Sequence, residues 1–536
     1  MNRADYLAQV EALHASPELR ARIAGLADTV RPRRRVFRPW MGACACLALI
    51  VGLGVGLYTG RIPLPGGASG GGAGHGEAST FMSYAGPVFP LTLREENDSI
   101  TAQREITLDF SPWEAVWVED PASDSGGYAQ RTTDLLVTDA YTLTNRSDAD
   151  QTVTVLYPFA SDLLSVGERT PVLTADGAAL ETALLAGTYA GGFEGGWAGP
   201  IGGGPEGSIN LDQAHSWEDY RDILADGTYL TNALGEGPDV GSIPVTVYRF
   251  TDPYGPAEDD EAGIPNPTLR AAFDLDYGET TILSWGFHSS SFDRENGTMI
   301  RGFSIPQPGE RGYGEDVYYL LVVGEDIENL TTRGYVTGGT DPDTRPLEGC
   351  GVTVERYESD LDTALREILG PYWEENQWER VYGQVKDPAD FFLWYRLVLE
   401  HLLSYGTLSP DHMDRYGSGM LEDVTDDVMV SARVFWLEAQ VTVPAGGSVT
   451  LTASLTKEAS FDYTCAQTEN RGVNGYDLVT RLGSNLPCTE QTATLEDRGQ
   501  IQIVRQNFGF DLENGLNTVT LDPDVEHYYL EVRRAS

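Results

Sequence analysis

Apolar and polar residues alternate along much of the chain after residue 90. In AYTLTNRSDADQTVTVLYPF the alternation begins at Tyr141, breaks at a polar turn over 145–150 and resumes at Val153. A period of two is typical of a strand with one buried face, so the stretch predicts a β-hairpin. WLEAQVTVPAGGSVTLTASL repeats this design around a turn at 444–447. Further strands are expected at 268–288, 298–305, 316–323, 500–510 and 526–533.

Antiparallel strands at this density predict a mainly β fold with one or two β-sandwiches. The first predicted hairpin combines an N-x-(S/T)-D turn with a strand that ends in Tyr157-Pro158-Phe159. This combination resembles uncharacterised bacterial surface domains, and the resemblance implies a β-sandwich without a particular chemistry. We expect a β-rich domain at 91–350, a helical insertion at 351–428 and a C-terminal β-rich part at 429–536.

Apolar residues at helical spacing appear between residues 358 and 405. DLDTALREIL places Leu361, Leu365 and Leu369 on one helix face. A second run, DPADFFLWYRLVLEHLLSYG, has Asp387 as the expected N-cap and Gly406 just past its end. It is apolar on most sides, which predicts a helix buried within the body.

The first forty residues predict two short amphipathic helices. Their apolar stripes consist of Tyr6, Leu7, Val10 and Leu13, and of Leu19, Ile23, Leu26 and Val30. So short a segment buries too little surface to fold alone, and these stripes need a protein groove or a membrane surface. The alternative is a frayed tail beside the membrane.

An apolar run without charges, residues 41–58, predicts a transmembrane helix at 41–60. Eighteen residues at about 1.5 Å each reach roughly 27 Å, which just spans a hydrocarbon core. Arginines collect on its N-terminal side, at Arg31, Arg33, Arg34, Arg35 and Arg38. The positive-inside rule then places residues 1–40 in the cytoplasm and the body outside the cell, beyond a Gly-, Pro- and Ser-rich tether at 61–90.

Two features of this region leave alternatives open. Arg34-Arg35-Val36-Phe37-Arg38 is similar to a twin-arginine export signal, which would be cleaved, although Arg33 stands where that signal has Ser or Thr. Small residues recur every fourth position at Ala48, Gly52, Gly56 and Gly60. Such a face suits a transmembrane homodimer, or it belongs to a glycine-rich run without a partner.

The N-terminal sixty residues resemble the membrane-bound anti-sigma factors of Gram-positive bacteria. The shared features are a helical head, an arginine collar, one membrane helix and a large outer domain. The resemblance implies that Leu7, Val10, Leu19 and Ile23 dock a cytoplasmic sigma factor. This chain departs from the zinc-binding branch of that family, since residues 1–40 contain one histidine, His14, and no cysteine.

Charge excludes one class of function. The first forty residues carry eight Arg and four acids, and the remaining 28 basic and 77 acidic residues give the body a net charge of −49. Such a body repels phosphate backbones, so we expect no nucleic-acid partner. The preference for Arg over Lys indicates a GC-rich bacterial genome. Cys465 and Cys488 flank a polar loop and form the possible disulfide, with fully reduced cysteines as the alternative.

No motif predicts a catalytic, metal or cofactor site. Ser454-Leu455-Thr456-Lys457 fits S-x-x-K but lies on a predicted strand, whereas that nucleophile needs a helix start. His288 precedes three serines, but adjacent residues of a strand point apart. We therefore expect a membrane regulator rather than an enzyme. A tethered surface interaction module and an exported enzyme remain the alternatives.

Overall fold

Strands dominate the described part of the chain, which confirms the mainly β prediction. The computed structural model describes residues 84–119, 126–191, 217–307, 317–375, 389–404, 407–408, 420–463 and 469–535. The predicted cytoplasmic segment, the predicted membrane helix at 41–60 and the tether up to residue 83 lie outside these ranges.

The strands, in chain order, are β1 (Thr92–Leu93), β2 (Ile100–Asp109), β3 (Val116–Glu119), β4 (Gly127–Gln130), β5 (Leu135–Asn145), β6 (Gln151–Ser161), β7 (Val172–Ala175), β8 (Ala178–Ala179), β9 (Ala183–Gly191), β10 (Pro244–Tyr254), β11 (Thr268–Asp274), β12 (Thr280–Trp285), β13 (Ser289–Asp293), β14 (Thr298–Ser304), β15 (Val317–Gly324), β16 (Glu328–Tyr335), β17 (Pro346–Leu347), β18 (Gly351–Asp360), β19 (Ala432–Val443), β20 (Ser448–Lys457), β21 (Phe461–Asp462), β22 (Val473–Val479), β23 (Cys488–Glu496), β24 (Ile501–Gln506), β25 (Thr518–Thr520) and β26 (His527–Arg534). The helices are α1 (Val166–Arg169), α2 (Trp217–Asp226), α3 (Thr228–Leu234), α4 (Leu361–Glu375), α5 (Phe391–Ser404) and α6 (Leu421–Val430). All the further strands expected from the sequence are confirmed, with the range 268–288 divided between β11 and β12.

Strands from the two ends of the described chain share their sheets. The sheet orders there are β1-β6-β19-β9, β25-β23-β2-β5-β20-β7-β8 and β21-β22-β26-β24. The predicted ranges 91–350 and 429–536 therefore pair directly, for example β6 with β19, and β2 with β23 in parallel. The middle of the chain forms β12-β15-β10-β18 and β13-β14-β11-β16-β17, and β3 and β4 form a ribbon of their own.

The two predicted hairpins are wrong in one respect, because their strands do not pair with each other. β5 and β6 enter different sheets, and so do β19 and β20. Each pair is an arch whose partner is the other arch, with β5 beside β20 and β6 beside β19. Alternation specifies which face of a strand is buried, and it leaves the pairing partner open.

Asn145 joins the two arches where their turns meet. Its Nδ2 donates to the backbone oxygens of Ala149 (2.8 Å) and Val443 (3.1 Å). Ala445 N–H in turn donates to Asp150 Oδ1 at 2.9 Å, and Gly446 N–H donates to Ser147 O. These bonds fix the register of four strands at once.

The main core lies between the sheet that contains β6 and β19 and the sheet that contains β5 and β20. Its buried members include Ile106, Tyr141, Val155, Phe435 and Leu451. A smaller core, with Phe250, Phe287 and Phe303, fills the space between the two middle sheets. The larger sheets of the described body are thus sandwich-like.

The helical region follows its predicted pattern with one correction. Leu361, Leu365 and Leu369 of α4 are buried as expected, and residues 351–360 before it form strand β18. The cap of α5 is Asp390, whose Oδ1 accepts from Leu393 N–H at 2.8 Å. The expected cap, Asp387, lies outside the described residues. Among the described helices, none has the length and apolar character needed to cross a membrane.

Candidate functional site

The predicted tether, 61–90, is wrong for its last residues, because residues 84–90 are packed into the body. Together with residues 91–93 they are inserted among strands from the far end of the chain. Val88 N–H donates to Asp477 O at 2.8 Å, and Val479 N–H donates to Val88 O at 2.9 Å. Ala85 N–H donates to Ser460 O at 2.7 Å, and Thr92 begins β1, which pairs with β6. We call the contact of residues 84–93 with residues 457–463 and 473–479, together with His527 beside Asp477, the attachment seam.

The sequence of this segment, YAGPVFPLTL, suits an inserted strand. Pro87 and Pro90 have no N–H group, so neither needs a ladder partner there. Val88 lies between them and uses both of its backbone groups in the bridge to β22. Phe89 and Leu91 are each 1% exposed, so the segment is also held by apolar packing.

Asp477 is the buried acid at the centre of the seam. The Tyr84 hydroxyl donates to its Oδ2, and His527 Nε2 lies 3.1 Å from its Oδ1. Trp217 of α2 stacks on the imidazole, with ring centroids 4.3 Å apart and planes at 14°. A fully buried carboxylate therefore links the tether-proximal segment, β22, β26 and a covering helix.

The seam contains serine, histidine and aspartate, but their contacts differ from those of a hydrolytic triad. Ser460 Oγ accepts from Asp477 N–H at 3.0 Å and donates to Gly86 O at 2.8 Å. A triad needs the serine hydroxyl on the imidazole. The geometry of Ser460 instead fixes the backbone of Gly86 against β22.

Lys457 is a buried cation at one edge of the seam. Its Nζ donates to the backbone oxygens of Ala85 (3.2 Å) and Glu458 (2.9 Å), and the residue is 6% exposed. Burial lowers the pKa of Lys457 to about 8, against the opposing effect of the Glu458 charge. Arg169, itself paired with Asp134 at 2.9 Å, adds like-charge repulsion that lowers the pKa further.

A buried ion pair between Arg104 and Asp139 also contacts the seam. Arg104 Nε and Nη2 donate to the two carboxylate oxygens of Asp139, each at 2.8 Å, and both side chains are fully buried. The same guanidinium donates to Phe89 O (3.1 Å) and Val479 O (2.8 Å). One arginine thus holds the inserted segment and β22 together. Burial also raises the pKa of Tyr141, whose hydroxyl donates to Asp139 Oδ2 at 3.0 Å.

Most site residues predicted from the sequence lie outside the described ranges. These are the docking residues Leu7, Val10, Leu19 and Ile23, the small-residue face Ala48, Gly52, Gly56 and Gly60, and the arginine collar. Cys488 carries a free thiol, and Cys465 lies outside the described residues, so the structure does not show the predicted bridge.

The described residues also bear on the chemical motifs. Within the described ranges, no group of three or more His, Cys, Asp or Glu side chains could hold a metal ion. Ser454 and Lys457 of the S-x-x-K match both lie on β20, as expected. Ser454 is exposed and Lys457 is buried.

Comparisons with protein-family models, with curated proteins and with solved structures found no match to this chain.

Proposed function

We propose that this protein is a single-pass membrane regulator. Residues 1–40 dock a cytoplasmic partner, for which the anti-sigma resemblance implies a sigma factor. Residues 41–60 cross the membrane, and the acidic body, built as two β-sandwiches, senses or contacts the cell envelope. The arginine collar and the net charge of −49 after residue 40 support this orientation.

The attachment seam is the observation that carries the proposal. A regulator of this kind needs a mechanical connection between its outer body and its anchor. Residues 84–93, which continue from the tether, are bound to β22 through Val88 and to Lys457 and Asp477 through side chains. A ligand that displaces β22 or β26 would therefore act directly on the chain that leads to the membrane.

Topology is the first test of the proposal. A reporter that works only in the cytoplasm should be active when it is fused before residue 1 of the full chain. A reporter that works only outside the cytoplasm should be active when it is fused after residue 536. A mature protein without its first sixty residues, recovered from the medium, would contradict the proposal and favour the export signal.

Partner docking is the second test. Full-length protein in native membranes should retain a cytoplasmic partner, and L19D/I23D should release it because charges enter the apolar stripe. The matched control is A21D/G25D, which places two charges on the opposite side of the same predicted helix. Equal retention by both variants would favour a tethered surface module without signalling.

A further inference from the structure

Strands β3 and β4 form a two-stranded ribbon that stands apart from the larger sheets. Val116 pairs with Gln130, and Glu119 pairs with Gly127. Among the described strands, these two pair with each other alone, so no other described strand lies along either long edge of the ribbon. An open edge offers backbone donors and acceptors to an added strand.

The end of the ribbon at Val116 and Gln130, which we call its foot, is held by hydrogen bonds to Arg534. Arg534 donates from Nη2 to Thr132 O at 3.0 Å and from Nη1 to Trp113 O, so it joins the chain before β3 to the chain after β4. Trp113 is 1% exposed and meets Phe110 edge-to-face at 5.4 Å. The ribbon therefore projects from a rigid base.

The ribbon exposes large apolar side chains on both faces. Val116 is 63% exposed, Trp117 58% and Tyr128 52%. Trp117 and Glu119 share one face, whereas Val116 and Tyr128 lie on the other, because side chains alternate along a strand. A two-stranded ribbon on its own is only marginally stable in water, and the addition of a third strand would stabilise it.

The indole of Trp117 is positioned as a platform. It lies over Gly127, where an added Cβ would come within 3.0 Å of its Nε1. Glu119 is two residues along on the same face, and Glu114 is exposed just before β3. A cation held over an indole gains from the π electrons, and a neighbouring carboxylate increases the attraction.

The surrounding charge selects the kind of partner. The body carries a net charge of −49, which repels anionic lipid and disfavours a second copy of this chain. Arg131 is the exposed cation at the foot, next to Arg534. Basic side chains are therefore attracted to the ribbon away from its foot.

We propose that the β3–β4 ribbon binds an extended, Lys- or Arg-bearing segment of a partner protein as a third strand, with one cationic side chain over Trp117. This inference rests on the proposed function for the place where the partner is met, outside the cell. Binding itself is measurable on the purified chain, so its failure is distinguishable from a failure of the topology test.

The test uses the full chain in detergent micelles, titrated at physiological salt with an eight-residue peptide of alternating lysine and valine. We expect W117A to weaken binding about tenfold and E119Q to weaken it less. Y254A is the matched control, since Tyr254 is an aromatic residue 62% exposed outside the ribbon, and it should bind as the wild type does. Equal affinities for the wild type and W117A would overturn the proposal.

Two further probes separate strand addition from other modes of binding. N-methylation of alternate backbone nitrogens in the same peptide should abolish binding if the segment adds to an edge, and undiminished binding would refute strand addition. Chitohexaose and phosphatidylglycerol vesicles serve as the other ligands. A response to either that depends on Trp117, with none to the peptide, would assign the surface to a glycan or a membrane and overturn the proposal.

Discussion

Lys457 donates a hydrogen bond from its buried Nζ to the backbone carbonyl oxygen of Ala85, 3.2 Å away. Ala85 belongs to the segment that continues from the predicted tether, and Lys457 ends β20 in the seven-stranded sheet. The bond therefore connects the N-terminal segment of the described body to a sheet that borders its main core. The donor is the amino group of Lys457, and its burial disfavours the charged form.

Lys457 should make stability depend on alkaline pH. Because its pKa falls from 10.5 to about 8 on folding, the folded protein binds fewer protons than the unfolded chain between these values. The free energy of unfolding should then rise from about pH 8 to about pH 10.5, by up to about 3 kcal/mol, and K457M should remove that rise. Urea unfolding at several pH values measures both slopes, and identical slopes in the two proteins would contradict the prediction.

The buried ion pair should show a strong asymmetry between single and double substitutions. R104M alone leaves the Asp139 carboxylate buried without its guanidinium, which should destabilise the fold by about 3–5 kcal/mol. R104M/D139L removes both charges and should recover part of this loss. Chemical unfolding of the full chain in detergent measures all three proteins. A double variant less stable than R104M would show that the hydrogen bonds that Asp139 accepts from Tyr141 and Tyr157 outweigh the cost of its unpaired charge.

The position of this pair was readable from the sequence. In ITAQREITLD the inward positions are Ile100, Ala102, Arg104, Ile106 and Leu108, and in LLVTDAYTLTN they include Val137, Asp139 and Tyr141. One arginine and one aspartate thus occupy apolar positions of two alternating strands. Opposite charges in such positions are a signal for a buried pair, since an unpaired charge would be excluded from the core.

Other features were less accessible from the sequence. Alternation gave the buried faces of β5, β6, β19 and β20, but a turn of four or five residues suits a hairpin as well as an arch. The contacts that decide between them are tertiary, such as Asn145 with Val443. The seam was also hidden, since it joins residues 84–93 to residues almost 400 positions away, and nothing local in YAGPVFPLTL specifies that partner.

Asn145 should be more important than an ordinary turn residue. N145A removes the donor to Ala149 O and Val443 O and the acceptor for Ser147 N–H, so the buried carbonyl group of Val443 loses a partner at the arch contact. We expect a loss of about 1–3 kcal/mol in the free energy of unfolding. N514A is the matched control, because Asn514 caps an exposed turn through Asp511 and should change stability little. Equal effects of both substitutions would argue against the arch contact.

Glu422 should make stability fall as pH rises toward neutrality. It lies in the first turn of α6, where it accepts from Gly286 N–H, and burial raises its pKa from 4.5 to about 7, with Asp423 adding repulsion. The folded protein therefore binds more protons than the unfolded chain between these values. The free energy of unfolding should fall by up to about 3 kcal/mol from pH 4.5 to pH 7 through this group.

The variant E422Q isolates this contribution, because its amide oxygen still accepts from Gly286 N–H and carries no titrating proton. Arg301 on β14 faces the same region and interacts favourably with the ionised Glu422, so it limits the size of the effect. Unfolding curves from pH 4 to pH 8 should be flatter for E422Q than for the wild type, while E513Q, a change at an exposed turn, should follow the wild type. If the wild type and E422Q had the same pH dependence, the pKa of Glu422 would be the same in the folded and the unfolded protein, and the carboxyl group at the junction of α6 with β12 would be charged at neutral pH.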